Sequence, residues 1–211
     1  MDNQLVESIV NEVIKRVQDE ACFEVEASGK HVHLNREAID ALFGEGYQLT
    51  KARDLSQPGQ YACKERVTLI GPKGSLHNVI VLGPERKQSQ VEISLTDSVV
   101  LGVSVPVRES GKIDGTPGVI IAAGSNLHKL DQGLIAAQRH IHVKAEDAAK
   151  FNVTNGEIVQ VKVMGKRPLI FDDVLIRVSP NFETYMHIDY DEANACGFVK
   201  GTKGQILKKS K

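Results

Sequence analysis

The spacing of apolar positions changes once along this chain, near residue 28. In residues 3–18, NQLVESIVNEVIKRVQ, Leu5, Val6, Ile9, Val10, Val13, Ile14 and Val17 recur at helical spacing, with Glu7, Ser8, Asn11, Glu12, Lys15 and Arg16 between them. This pattern predicts an amphipathic helix of about four turns. It either packs on the protein's own core or serves as a docking tag for a partner, since a short terminal helix followed by a loop over 19–27 is able to detach. A membrane-surface role fits less well, because the segment lacks aromatics and carries only Lys15 and Arg16 as cations. From Ser28 onward the runs are short and strand-like: Arg66–Ile70, Asn78–Leu82, Val91–Leu95, Val119–Ala122, Ile158–Val163 and Val174–Val178 are apolar or alternating and bounded by Gly, Pro or Asp. Two further helices are expected, at Arg36–Phe43 and Ala145–Phe151. No Gly-rich turn joins a strand to a helix, so a nucleotide-binding fold has no support.

Those two helices expose an internal repeat. Lys30-His31-Val32-His33 precedes the first, and Arg139-His140-Ile141-His142 precedes the second. Farther on, VIVLGP (79–84) aligns with LIRVSP (175–180). Glu92, in VEISLTD, follows Pro84 by eight residues, and His187, in MHIDYDE, follows Pro180 by seven. Each half reads His-x-His, helix, strands, Pro, then one more candidate ligand. The expected architecture is mainly β: two related β units with short capping helices behind an N-terminal amphipathic helix. The expected segments are 1–20 for the helix, 28–115 for the first unit and 116–211 for the second, with strand exchange between units allowed. The boundary falls in the Gly/Pro/Ser-rich stretch 109–118 or the turn-rich stretch 124–133.

Composition narrows the partners. The chain has 211 residues, long enough for one large domain or two small ones, and hydrophobic (41%) and charged (25%) fractions of globular proteins, which argues against wholesale disorder. Its 26 basic and 27 acidic residues nearly cancel, so no general field exists for gripping nucleic acid and any anion site must be local. No apolar run reaches the ~18 residues of a membrane span, and no segment is laid out as a secretory signal. Cys22, Cys63 and Cys196 are scattered and form no CxxC, which favours a reducing compartment over a disulfide framework.

A His-x-His pair on a strand projects both imidazoles from one face, and imidazole is a common zinc ligand. One pair is often only a surface or hydrogen-bonded feature; two, at matching places of a repeat, favour metal. Glu92 and His187 complete two triads, His31/His33/Glu92 and His140/His142/His187. Three protein ligands with an open position is the usual arrangement of catalytic zinc, whereas structural zinc usually takes four. His77 and His128 have no partner at useful spacing and are expected to be structural. Asp189, Asp191 and Glu192 either orient imidazoles or form a solvated acidic loop. Lys30 and Arg139 should point to the opposite strand face. Arg86, in GPERKQSQVE, is a candidate for bidentate anion binding, with an exposed loop arginine as the alternative; Arg108, in PVRESG, has the same two readings with less support.

At these residues the chain resembles a known family. SGKHVHL, LGPERKQSQVEISLTD, PVRESG, AQRHIHV and MHIDYDEANACG resemble the PduL-type phosphate acyltransferases, also called phosphate propanoyltransferases, from about Ser28 to Gly204. The resemblance implies two β-barrel units, two zinc ions per chain, and interconversion of a short-chain acyl-CoA plus phosphate with acyl phosphate plus CoA. It also implies that residues 3–18 form an encapsulation peptide that binds shell proteins of a bacterial microcompartment. The expected protein is thus a homo-oligomer in the bacterial cytoplasm, enclosed in a microcompartment, without nucleic-acid or membrane partners.

The candidate groups suit that reaction. An oxygen of phosphate attacks the thioester carbonyl, and a CoA thiolate leaves. Thiolates are good zinc ligands. Glu92 lowers the net charge at the first triad, which matches sulfur. The all-histidine triad leaves a full double charge, which matches a phosphate dianion. Arg86 is placed near the carbonyl oxyanion and phosphate. A dizinc hydrolase and a non-catalytic zinc-stabilised shell scaffold are the alternatives. A covalent route through Cys63 or Cys196 lacks an activating context.

Overall fold

The computed structural model describes residues 22–207, so the expected helix at 3–18 lies outside the described residues. The strands are β1 (Cys22–Ala27), β2 (His31–His33), β3 (Lys51–Asp54), β4 (Tyr61–Ile70), β5 (Ser75–Gly83), β6 (Gln90–Glu92), β7 (Val107–Arg108), β8 (Val119–Ala123), β9 (Asn126–Leu130), β10 (Leu134–Ala137), β11 (His140–Lys144), β12 (Ile158–Val163), β13 (Leu169–Ser179), β14 (Tyr185–Ile188) and β15 (Lys203–Leu207). The helices are short: α1 (Arg36–Phe43), α2 (Leu95–Leu101), α3 (Ala148–Phe151) behind a single 3-10 turn (Ala145–Asp147), and α4 (Tyr190–Cys196). The protein is mainly β, as its strand-like periodicity predicts.

The chain divides into two compact units. Among the described residues, one comprises 22–26, 140–186 and 195–207, the other 27–139 and 187–194. A closed barrel runs in the order β1-β14-β11-β13-β12-β15. Closure removes the exposed edges of its sheet. Along β12, Val159, Val161 and Val163 are buried while Ile158 and Lys162 are exposed, the period-2 pattern of a strand with one face inward. The interior also takes Phe23, Val25, Ile141, Val143, Val174, Ile176 and Met186. Phe151 of α3 meets Phe23 edge to face, with ring centroids 5.7 Å apart. Gly204 is dictated by this packing, because a Cβ there would stand 2.7 Å from the Phe23 ring and 3.2 Å from both Val161 and Val25.

The other unit is a curled nine-stranded sheet, ordered β7-β10-β6-β2-β5-β4-β8-β9, with β3 added beside β4. Its core gathers Val32, Leu34, Ile39, Leu42, Leu69, Val79, Val81, Val91 and Leu134. Asn35 caps α1 by accepting from the Ala38 N–H at 2.9 Å. Ser89 locks that cap, accepting from the Asn35 N–H and donating to its Oδ1, both at 2.9 Å.

The repeat has a structural counterpart. Parallel pairing joins β2 to β5 (His31↔Ile80, His33↔Leu82) and β11 to β13 (His140↔Leu175, His142↔Arg177). The sequence alignment of VIVLGP with LIRVSP is offset by one residue from these registers. Each His-x-His strand lies between that parallel partner and a strand carrying the third candidate ligand, β6 or β14.

Among the described residues, two more helices form than the two the sequence predicts there. The apolar run Val91–Leu95 does not continue as a strand; β6 stops at Glu92, and Ser94 and Asp97 form a capping box that starts α2 at Leu95. The acidic stretch after His187 is no loop either. The Asp189 carboxylate accepts from the Glu192 N–H at 2.9 Å and that of Glu192 from the Asp189 N–H at 3.0 Å, opening α4. In both cases a capping pair outweighs weak periodicity over seven residues.

Replacing Gly204 with alanine should overpack the barrel and cost ~1–3 kcal/mol. The thermal unfolding midpoint checks it; an unchanged midpoint would show that Phe23 can move aside.

Candidate metal centres on two His-x-His strands

In β2 the alternation buries Val32 in the core at 0% exposure and turns His31 and His33 to the other side, where they are 5% and 3% exposed. Their rings meet edge to face with centroids 5.0 Å apart. Antiparallel pairing with β6 sets His31 directly opposite Glu92. The ligand atoms of His31, His33 and Glu92 all lie within 4.8 Å of one another.

A backbone carbonyl fixes the first imidazole. His31 Nδ1 is 2.8 Å from the Gly29 carbonyl, which can only accept, so Nδ1 carries a hydrogen and Nε2 is the nitrogen left for a ligand. That Nε2 stands 3.4 Å from Glu92 Oε2. Four bonds of ~2.1 Å around a tetrahedral zinc give ligand–ligand edges of about 3.4 Å. His31 therefore offers Nε2. The buried Nδ1 of His33 has no hydrogen-bond partner. A buried, unpartnered imidazole nitrogen in a cluster with a second imidazole and a carboxylate fits a divalent cation, and the N/O donor set suits zinc.

The electrostatics are those of a tight cluster. Burial alone would raise the pKa of Glu92, yet the adjacent His31 and His33 and the Ser110 hydroxyl hold its carboxyl far below the usual carboxylate range. Burial pulls His31 down, but the Glu92 carboxylate and the Gly29 carbonyl outweigh it and leave His31 raised. His33 is held well below 6.5 by burial and by the charges of His31 and Arg86.

On the barrel, β11 carries His140 and His142, with ring centroids 4.7 Å apart, and β14 carries His187. The ligand atoms of these three residues also lie within 4.8 Å of one another. The ring of Phe182 packs 4.2 Å from that of His142, and the Arg177 guanidinium lies over Phe182 at 5.8 Å. Phe182 gave no signal in the sequence, because an isolated aromatic after a Pro-Asn turn reads only as a loop residue.

The structure also places the remaining candidates. Arg86 follows β5, its N–H donating to the Leu34 carbonyl at 2.9 Å, and its charge acts on both His31 and His33. Lys30 pairs with Asp97 at 3.2 Å and Arg139 with Glu192 at 2.6 Å. Asp189, Asp191 and Glu192 serve as caps and an ion-pair partner: Asp191 accepts from the Thr96 N–H at the start of α2, at 2.9 Å. His77 bonds Thr68 and Ser75 on the β4–β5 hairpin, and His128 stands opposite Ile121 on β9. Arg108 is exposed on β7. Cys63 is fully buried with its thiol pushed up to about 11 by burial, and Cys196 is equally buried, so neither is an activated nucleophile.

Two histidine-centred triads on a mainly β chain define a candidate metal-dependent enzyme. The comparisons with known proteins specify the class. Residues 24–199 match the model of a family described as phosphate propanoyltransferase. A phosphate propanoyltransferase of Listeria monocytogenes is 61% identical over 211 residues, covering 100% of this chain and 99% of the relative. One from Enterococcus faecalis is 65% identical over 202 residues (95% and 96%), and one from Clostridioides difficile 62% over 210 (100% of each). The chain belongs to the phosphate propanoyltransferase family, and is a phosphate acyltransferase of that kind.

In protein stripped of divalent ions, NMR titration should find His31 above 6.5 and His33 below it. Glu92→Gln should bring His31 down. The sign for stability follows: the contribution of His31 is complete below its unfolded pKa and is lost as pH rises through the raised folded value. That of Glu92 runs the other way, present above its unfolded pKa and lost in strong acid. A His31 value unmoved by Glu92→Gln would show that the pair does not interact as placed.

Proposed function

We propose that this protein interconverts a short-chain acyl-CoA plus phosphate with acyl phosphate plus CoA, using two zinc ions held by His31/His33/Glu92 and His140/His142/His187. The observation that carries the reading is the pairing of two similarly built donor triads with family membership over nearly the whole chain. Propanoyl-CoA is the substrate favoured by the names of the relatives. Bound zinc would supply Lewis acidity, favouring thiolate departure and anchoring a phosphate oxygen.

The side chains set how that acidity is divided. Glu92 contributes one negative charge to its triad and leaves a net charge of about +1, which suits a thiolate. The three neutral imidazoles of the second triad leave the full +2 for a phosphate dianion. Arg86, whose charge already reaches His31 and His33, stabilises the negative charge that develops on the thioester carbonyl and the phosphate. A phosphate oxygen forms the new C–O bond, the C–S bond breaks, and the electron pair leaves on sulfur. No protein nucleophile is required, in keeping with the buried state of Cys63 and Cys196.

Residues 3–18 direct the enzyme into a bacterial microcompartment by binding shell proteins through their aliphatic face. The support is the amphipathic spacing of those residues.

Four measurements test this function. Metal analysis should give two zinc per chain, and replacing both His140 and His142 with alanine should remove one equivalent and largely spare the other. Arg86→Ala should keep both metals but lower turnover by at least two orders of magnitude, ~2.7–4 kcal/mol for an oxyanion-type donor. Arg86→Lys should rescue only in part, since an ammonium lacks the planar fork. Free thiol must appear only when phosphate is supplied; release without phosphate would make the protein a hydrolase. Deleting residues 1–20 should leave metals and phosphate-dependent activity intact and abolish co-purification with shells. Loss of metal on deletion would show that the segment belongs to the core.

A further inference from the structure

The loop after β7 carries Ser110 and Gly111 of the PVRESG motif, and both converge on Glu92 through Gln90. The Gln90 side chain is buried, at 2% exposure. The Gly111 N–H donates to Gln90 Oε1 at 2.7 Å, which fixes the sense of the amide because only its carbonyl end can accept. Gln90 Nε2 then donates to Glu92 Oε1 at 2.6 Å and to Ser110 Oγ at 2.9 Å. The Ser110 hydroxyl donates in turn to the same Glu92 Oε1, at 2.9 Å. Oε1 thus takes two donors, while Oε2 faces His31 Nε2.

We propose that Gln90 and Ser110 are positioning residues that hold Glu92 as a one-oxygen ligand, keeping a coordination position of the His31/His33/Glu92 centre open for substrate. The inference rests on the metal reading above. A carboxylate binds a cation through one oxygen or both. Both Glu92 oxygens together with two imidazoles would supply four donors, the complement of a closed structural zinc site. Turning Oε1 toward the cation would break two hydrogen bonds at once. It would also leave the Gln90 amide and Ser110 hydroxyl short of an acceptor in a buried setting, the costly outcome for any polar group. The clamp therefore selects the open form. It also gives the PVRESG motif a role that does not require Arg108.

Cobalt(II) substitution tests the clamp, because the visible absorption of cobalt(II) weakens when a fifth donor joins a four-coordinate ion. Full-length protein, Ser110→Ala, Ser110→Thr and Gln90→Met are loaded with cobalt(II) and compared. Ser110→Ala and Gln90→Met should keep their cobalt, lose visible intensity, and turn over at least tenfold more slowly in the phosphate-dependent assay. Ser110→Thr retains the hydroxyl and should restore both signals. A Ser110→Ala protein with unaltered spectrum and turnover overturns the clamp, as does a threonine variant that restores neither. Should Gln90→Met fail to fold, the half-buried Ser110 pair decides alone. Absence of cobalt binding in the unsubstituted protein would overturn the metal reading itself. Cobalt bound without phosphate-dependent turnover would overturn acyl transfer and leave the clamp measurable by its spectrum.

Discussion

A β-strand sends every second side chain to the same side, and both candidate centres depend on that constraint. In β2 it commits Val32 to the core and His31 and His33 together to the opposite face. β11 repeats the arrangement with Ile141 between His140 and His142. Because the intervening residue is buried at 0% exposure in each strand, a register slip would put imidazoles into hydrocarbon and an aliphatic chain into the polar cluster. The hydrophobic core thus fixes which way the imidazoles face. The third donor follows from the neighbouring strand, since pairing of β2 with β6 leaves Glu92 no position other than opposite His31.

Such burial is costly for polar groups unless each finds a partner. Around the first triad the partners include backbone groups, the Gly29 carbonyl for His31 and the Gly111 N–H for Gln90. Main-chain groups within sheets and tight turns shift little, so they orient side chains more rigidly than long flexible partners would. Gly29 shows how closely the turn is packed, for a Cβ there would stand 2.9 Å from the Tyr190 ring. With these bonds made, the unpartnered, buried Nδ1 of His33 stands out, which is why it points to a ligand and not to loose packing.

How legible this was in the sequence depends on whether the signal was local. His-x-His is a pattern of three residues, and α1 fills the span its periodicity predicts because Asn35 caps it and Gly44 ends it. The β12 strand likewise matches its alternating run residue for residue. Weak elements failed for the opposite reason. β7 and β10 are short, and their places are set by pairing with strands distant in the chain, Leu134 with Val91 and Ala136 with Val107. The helices α2 and α4 were readable in principle, since Ser94–Asp97 and Asp189–Glu192 have capping-box spacing, but apolar content at Val91–Leu95 and acidity at 189–192 pulled the reading elsewhere. Gln90 and Ser110 could not be paired from sequence at all. They lie twenty residues apart, and only the fold brings the loop after β7 back to β6.

The two triads differ in their third donor, and this difference bears on how the coordinating atom of the first is defined. An imidazole has one bare nitrogen once its other nitrogen bears hydrogen, so fixing the tautomer fixes how it can coordinate. His187 poses no question of one atom or two. Glu92 does, because a carboxylate offers two equivalent oxygens on a rotatable bond. A repeat that substitutes a carboxylate for an imidazole therefore gains negative charge and loses definition of the coordinating atom. The charge is expressed in the raised pKa of His31 and the depressed one of Glu92. The definition is restored by Gln90 and Ser110, which occupy one oxygen and leave the other toward His31. If one centre takes sulfur and the other phosphate, as proposed, the carboxylate-bearing centre needs such a clamp, for which β6 supplies Gln90 and the PVRESG loop Ser110.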